Sequence, residues 1–509
     1  MSIAQDIVAI ESLEPRLLLS VGIIDQNMLA AGNIPDSAYY IDRDGDGYGV
    51  GAPNGPDADD KDAAVNTYDT AIAKHGSVEN LVKHLGYNPT RIVTGWPSDG
   101  LRPGDLVIYQ GGTYKGSYVM NVRGVHGTAE NPIVFLAMPG QKVVLDATVT
   151  GITAENSSHV VFDGFVLDNS QYGGQGINIH DLQNVTFRNI ESKRHTRGLF
   201  GSQNLNDMRF ESMVVHDNGG HGMYLGARNE PNSNITVVDS LFYRNKNHGI
   251  QHNGRVTNMV IERNVMHSNS YAGLSLIEGV SDSVVRNNVI FNNNKQGIIF
   301  YTYYDTPTSG VLPYPETNNL VENNIVWVGR TSWEGTSGTP TDFAAVDFND
   351  STGVGITGTV IRNNILVTYR GPIVNFHQSA VAASTTFEGN MAYRMMGDSL
   401  GIKIGGTSYH TSALNTLNSG FRNNTYQDPG FASASVDFYR TPEKFDFSRD
   451  GQGGDDGGDD GGDDGGTPTP VNERPVLTKF DLFNGTVNEP ITFTYEMLLE
   501  NSDAADPDG

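Results

Sequence analysis

The middle of the chain alternates short apolar runs with turns rich in asparagine and glycine. Val160-Val161-Phe162-Asp163-Gly164-Phe165, Val185-Thr186-Phe187-Arg188-Asn189-Ile190 and Ile235-Thr236-Val237-Val238-Asp239-Ser240 share one pattern, which returns at Val260–Val265, Val284–Val289 and Val360–Ile365. Each unit then carries a glycine followed by an apolar residue, at Gly198, Gly222, Gly249, Gly273 and Gly297, spaced 24, 27, 24 and 24 residues apart. Runs this short read as strands, and nothing between them has helical spacing. A strand–helix–strand crossover needs roughly 30 residues, more than one unit offers. Three short strands joined by turns fit the length, and such units bury their apolar positions by stacking on one another. The chain is therefore predicted to be all-β over residues 101–449, a parallel β-helix (solenoid) with coils about 4.8 Å apart.

Stacking converts spacing into columns of side chains. Counting back four residues from each glycine gives Arg194, Asn218, Asn245, Asn269 and Asn293, and stacked asparagines can bond along the axis through their amides. Two stretches, 301–317 and 330–356, interrupt the period and are expected to leave the coil as loops.

Composition changes on either side of the repeats. Residues 1–35 read as a leader, 36–69 as an Asp-rich loop region and 70–100 as a bridging segment. Residues 450–471 form a Gly/Asp tract ending in Thr-Pro-Thr-Pro, a charged flexible linker, and 472–509 begin a further β module within which the chain stops, as expected of a truncated longer protein. The formal charge of −26 sits in these flanks. Nine acids against two bases between Asp36 and Asp69 give −7, and sixteen against three between Asp446 and Gly509 give −13, whereas twelve bases against ten acids over 181–300 give +2. A polyanion could approach the middle, while the field of the whole molecule argues against nucleic acid. The absence of cysteine excludes a disulfide scaffold, a thiol catalyst and a zinc–thiolate site. No apolar stretch approaches the ~20 residues of a membrane span. The apolar run from Leu17 to Ile24 is too short for an ordinary signal peptide.

Arg102-Pro-Gly-Asp-Leu-Val-Ile-Tyr-Gln-Gly-Gly-Thr-Tyr114, followed by Gly127-Thr-Ala-Glu-Asn-Pro-Ile133 and Pro139-Gly140, resembles the opening coils of pectate-lyase-like and chondroitinase-B-like proteins. The later coils resemble the generic parallel β-helix repeat family. The resemblance implies a right-handed β-helix and an extracellular protein, but the fold hosts lyases, hydrolases, epimerases and adhesins, so it leaves the reaction open. Glu11-Ser-Leu-Glu14-Pro15-Arg16-Leu-Leu-Leu19-Ser20 resembles the LEPR motif of large exported proteins of planctomycetes and some proteobacteria, which implies a secreted or cell-surface bacterial protein.

Asp42, Asp44 and Asp46, separated by single residues and followed by glycines, offer the hard oxygen ligands that calcium requires. An EF-hand would place Glu at the twelfth position, where Pro53 stands; Asp57, Asp59, Asp60 and Asp62 could complete the shell instead. The pair of clusters resembles the calcium repeats of thrombospondin-type-3 and related bacterial surface proteins, and implies a structural calcium ion; a solvated acidic loop is the alternative. Asp503, Asp506 and Asp508 resemble the calcium-binding edge of cadherin-like bacterial repeats, through which further C-terminal modules could attach the protein to a cell surface.

Catalysis on an acidic polysaccharide by β-elimination needs a cation to neutralise a carboxylate and a base to remove the adjacent proton. Basic and aromatic residues cluster over 190–260. One column holds Arg197, His221 and His248, a second Phe200, Tyr224 and Gln251, and a third Asn204, Arg228 and Arg255. Strand alternation points Tyr224 and Gln251 outward and His252 inward. The candidate catalytic set is Tyr224 or His221 as base, with His248 beside them and Arg228 and Arg255 holding a carboxylate or sulfate. Lys193, Arg197, Lys246 and Gln251 are candidate substrate contacts. Turn histidines and solvated arginines would account for the same residues without chemistry. Asp163, Asp168, Asp181, Asp217 and Asp239 are scattered over different columns, which disfavours a hydrolase. Two readings stand: a lyase acting on an acidic polysaccharide, or a non-catalytic surface or adhesion protein whose β-helix binds glycan.

Overall fold

Equivalent strands of successive coils pair in parallel, and three such stacks wrap one axis. The first face runs through Asn178, Phe200, Tyr224, Gln251, Ser275, Ile299, Asp347 and Asn375, each paired with the next. The second runs from Val93 through Val107, Phe135, Phe162, Phe187 and Phe210 to Val237, Ile261 and Val285. The third runs through Leu167, Ser192, Val215, Phe242, Met266, Ile290 and Val326. This computed structural model describes residues 39–94, 97, 99–302, 314–329, 343–395, 397 and 401–429, with only the backbone at 228 and 229. The LEPR-like segment, the Gly/Asp tract and Asp503, Asp506 and Asp508 lie outside the described residues.

Alternation sends every second side chain inward, so all three faces share one core. Phe135, Phe162, Phe187 and Phe210 stack inside it with centroids 5.2, 4.7 and 5.6 Å apart, all fully buried. Each such ring contributes about 1.5–3 kcal/mol by leaving water. The corners explain the Asn-Asn pairs. In each, the first residue takes the left-handed backbone that asparagine tolerates, with φ of 57° at Asn287, 55° at Asn323 and 55° at Asn363. The second points inward and joins a ladder: Asn264 Nδ2 donates to Asn288 Oδ1 (3.1 Å), Asn288 to Asn324 (2.9 Å), Asn324 to Asn364 (3.0 Å) and Asn364 to Asn390 (3.0 Å). Each oxygen also accepts a backbone N–H, and each Nδ2 also reaches a carbonyl, as at Asn264 with Val237 O (2.9 Å), so the buried amides are satisfied.

The ladder expected upstream of the glycines is present, from Asn218 to Asn245, Asn269 and Asn293 at 2.9, 3.0 and 2.9 Å. Its head is His195 rather than Arg194. His195 N–H donates to Asn218 Oδ1 (3.0 Å), while Arg194 turns the corner at φ 62° and pairs with Asp168. That coil is one residue shorter before its glycine, so a fixed count misplaces the column. The second interruption also differs from expectation: Val346–Asp350 is a strand of the first face, paired with Ile298–Thr302. A short helix, α3 (Ser379–Ser384), stands between strands where none was read, its alanines favouring helix and its Val381 and Ala382 buried.

Ahead of the repeats lie α1 (Tyr68–His75) and α2 (Val78–His84). Thr67 and Thr70 form a capping box at the start of α1, Gly76 ends it at φ 78°, and Ser77 caps α2. Val82 packs on the outward side chains Leu106, Ile108, Val134 and Leu136, covering the second face of the first coils. The segment around Ile41 instead covers the third face at Val214, Leu241, Tyr243 and Val265. Among the described residues no helix is long and apolar enough to cross a membrane.

Candidate functional site

On the first face, register places Tyr224 directly between Phe200 and Gln251. The Phe200 and Tyr224 rings stack at 5.7 Å, and the Arg197 guanidinium lies over both, 5.1 and 5.6 Å from their centroids. The Tyr224 hydroxyl accepts from Asn253 Nδ2 (3.1 Å). His221 packs edge-on against Tyr224 (5.1 Å) and stacks on His248 (5.6 Å). Its Nε2 lies 2.9 Å from Gln251 Oε1; with the amide in that orientation Nε2–H is the donor, and the lone pair is left on Nδ1.

Burial, reinforced by the Arg197 charge, pushes His221 down to about 3, so its ring is neutral at physiological pH. Burial likewise holds His248 well below the usual range, with His221 and Lys295 adding to the effect. Arg197 is itself lowered by burial, although Tyr224 opposes that. The assembly therefore sets one guanidinium, two neutral imidazoles, a phenol and two amides on one outward strip. It can pair with an anion, stack on a ring and exchange a proton.

The other sequence candidates fall elsewhere. The ladder slips between Ala227 and Asn232, which pair with Gly254 and Val256, so residues 228–231 bulge out and Arg228 is not in register with Arg255. The Arg228 side chain lies outside the described residues. Arg255 turns toward the next coil and covers the Tyr314 ring at 4.7 Å. Lys193 belongs to the third face, where its Nζ donates to Glu191 (2.7 Å), because it pairs in register with His216. Lys246 is exposed at a corner, its backbone N–H held by Asn218 O (2.9 Å). His252 is fully buried in the interior. Four of the scattered aspartates pair with neighbouring arginines, Asp163 with Arg188, Asp168 with Arg194, Asp217 with Arg244 and Asp239 with Arg263, and Asp181 lies against the His180 ring. Asn253 was not anticipated; its place two residues beyond Gln251, on the same outward alternation, could have marked it.

The acidic loop divides. Asp42, Asp44 and Asp46 bring carboxylate oxygens within 4.8 Å of one another. Asp42 accepts backbone N–H groups at both oxygens, from Gly45 and Gly47, while Asp44 and Asp46 each accept one, from Asp46 and Tyr48 respectively. The Oδ2 atoms of Asp44, Asp46 and Asp57 are buried without a hydrogen-bond partner. Burial, with Asp46 and Asp44 nearby, raises Asp57 to about 7. These four could hold a cation. The remaining three are engaged otherwise: Asp60 pairs with Arg43, Asp62 with Lys74 and Asp59 with His84.

A family model described as the right-handed β-helix region matches residues 143–290, in agreement with the parallel stacking of those strands. No curated protein sequence matches the chain. Among solved structures, the A-module of the mannuronan C-5 epimerase AlgE4 of Azotobacter vinelandii is similar at 14% identity, covering 75% of this chain and 97% of that one, with a TM-score of 0.41. The pectate lyase Pel9A is similar at 13% identity over 68% of this chain and 88% of that one (TM-score 0.33). PfbA, a surface adhesin of Streptococcus pneumoniae, is similar at 12% identity over 58% and 78% (TM-score 0.40).

Proposed function

We propose that the first face binds an acidic polysaccharide outside the cell and cleaves it by β-elimination. The observation that carries this reading is the placement of Arg197 over the Phe200–Tyr224 stack, beside a neutral His221. Arg197 would pair with the carboxylate of a uronic acid and acidify the proton on the adjacent carbon. His221 or Tyr224 would remove that proton; the electron pair forms a C=C bond, the glycosidic C–O bond breaks, and the departing oxygen takes up a proton. Phe200 offers a ring for sugar stacking, and Gln251 an amide for hydroxyls. Arg197 thus replaces Arg228 and Arg255 in the role of carboxylate clamp.

A second reading, a non-catalytic surface protein that binds glycan, is favoured by the near-complete burial of His221, His248 and Gln251. The full chain incubated with polyuronates, sulfated glycans and glycosaminoglycans, and followed by ultraviolet absorbance, separates the two. New unsaturated ends support the lyase. Flat absorbance with every polymer, alongside retained binding, leaves the glycan-binding reading.

Asp42, Asp44, Asp46 and Asp57 would hold a structural calcium ion. Convergent carboxylates with three buried, unpartnered oxygens fit the oxygen-only shell of that ion better than a solvated loop. Calcium there would fasten the loop whose Arg43 reaches Ser212 on the solenoid, and would take no part in the reaction.

A further inference from the structure

We propose that Asp59, His75 and His84 form a second metal site, selective for a nitrogen-preferring divalent ion such as zinc. The two histidines are the last residues of α1 and α2, and their rings face each other at 4.4 Å. Asp59 is buried, 4% exposed, and its Oδ2 lies 2.8 Å from His84 Nε2. His75 Nε2 is also buried, and no hydrogen bond satisfies it. One ligand atom from each residue can be chosen so that all three lie within 4.8 Å of one another.

That geometry asks for an ion. A tetrahedral zinc with bonds of about 2.0–2.1 Å needs ligand atoms roughly 3.3 Å apart, which small side-chain rotations supply here. Both histidines end helices, where the terminal carbonyls favour a positive charge. The aspartate is prepositioned by its backbone: Asp59 N–H donates to Val65 O (3.0 Å) and Asp62 N–H to Asp59 O (2.9 Å). Two imidazoles and one carboxylate leave a fourth position for water. They select against calcium, which prefers oxygen alone. Asp59 therefore serves a different metal chemistry from Asp57, two residues away. A bound ion would tie the acidic loop to both helices, and through Val82 to the outer side of the first coils.

The test uses the full chain, stripped with chelator, saturated with calcium to fill oxygen-only sites, and then titrated with zinc by calorimetry and with cobalt(II) by visible absorption. One zinc should bind per chain, raising the melting temperature by several degrees, and cobalt should give the intense bands of a four-coordinate site. His75→Ala and His84→Ala should each weaken zinc at least ~100-fold and abolish those bands, and Asp59→Asn should weaken it at least ~10-fold. Failure of the calcium-loaded wild-type chain to take up zinc overturns the proposal. So does an uptake and cobalt spectrum unchanged in both histidine variants, which would leave His84–Asp59 as a plain hydrogen-bonded pair. If a variant fails to fold, the wild-type cobalt spectrum decides alone.

Discussion

The solenoid carries two stacks of imidazole and phenol rings, and they have opposite characters. On the third face His216, Tyr243, His267 and Phe291 stack at 4.7, 5.2 and 4.8 Å. On the first face Phe200, Tyr224, His221 and His248 are packed at similar distances. His216 is gripped by two carboxylates, Asp217 at 2.6 Å and Glu191 at 3.1 Å; these outweigh its burial and raise its pKa, while against its own burial Glu191 is held down at about 2 by His216 and Lys193. That stack is roofed by Tyr39, whose carbonyl accepts from the Tyr243 hydroxyl (3.0 Å). His221 has an amide for a partner and a guanidinium for a neighbour, and stays neutral. The same residue types in the same kind of ladder thus become a buried ion network or a candidate site. Which one results depends on the flanking charges.

This contrast can be broken by experiment. The largest expected effect is on turnover: Arg197→Ala should lower kcat/KM about 1,000-fold, and Tyr224→Phe and His221→Ala at least ~100-fold each, with circular dichroism unchanged. Near-normal rates in the latter two would remove them as bases. His216→Ala should do the reverse, leaving turnover intact while costing about 3–5 kcal/mol in denaturant unfolding, because Glu191 and Asp217 lose their buried counter-charge. A deep loss of activity with no loss of stability would erase the distinction between the faces.

Titration sharpens the same contrast. The stability contributed by His216 should be complete below the unfolded pKa of about 6.5 and lost as pH rises through its raised folded value. His221 should produce no inflection in kcat/KM between about pH 5 and 7, since its ring is already neutral there. In the acidic loop, a carboxyl raised to about 7 means that the metal-free fold retains a proton that the unfolded chain releases. Without calcium, stability should therefore fall as pH climbs from about 4 to 7, and calcium should remove that slope in thermal melts. A slope unchanged by calcium would count against Asp57 as a ligand. The smallest effect is at the rim: Lys246→Ala should weaken polymer binding only ~2–5-fold, most visibly at low salt.

Much of this was legible in the chain itself. The glycine spacing and the Asn-rich turns located the coils and the ladder from Asn218 to Asn293, and the same spacing with strand alternation put Tyr224 and Gln251 in one outward column. These features follow from local geometry repeated at a fixed period, so counting residues recovers them. Counting failed where the period changed, at His195, at the slip beyond Ala227 and at the strand Val346–Asp350.

What only the tertiary structure decided were the pairings between distant parts of the chain. Lys193 shares its face with His216 from the next coil, Asp59 turns from the acidic loop to His84, and Tyr39 covers Tyr243 from 204 residues away. The repeat specifies the backbone and the direction of each side chain, because both are set within a coil. Whether a charge is quenched, or a face covered, depends on segments that no local spacing brings together.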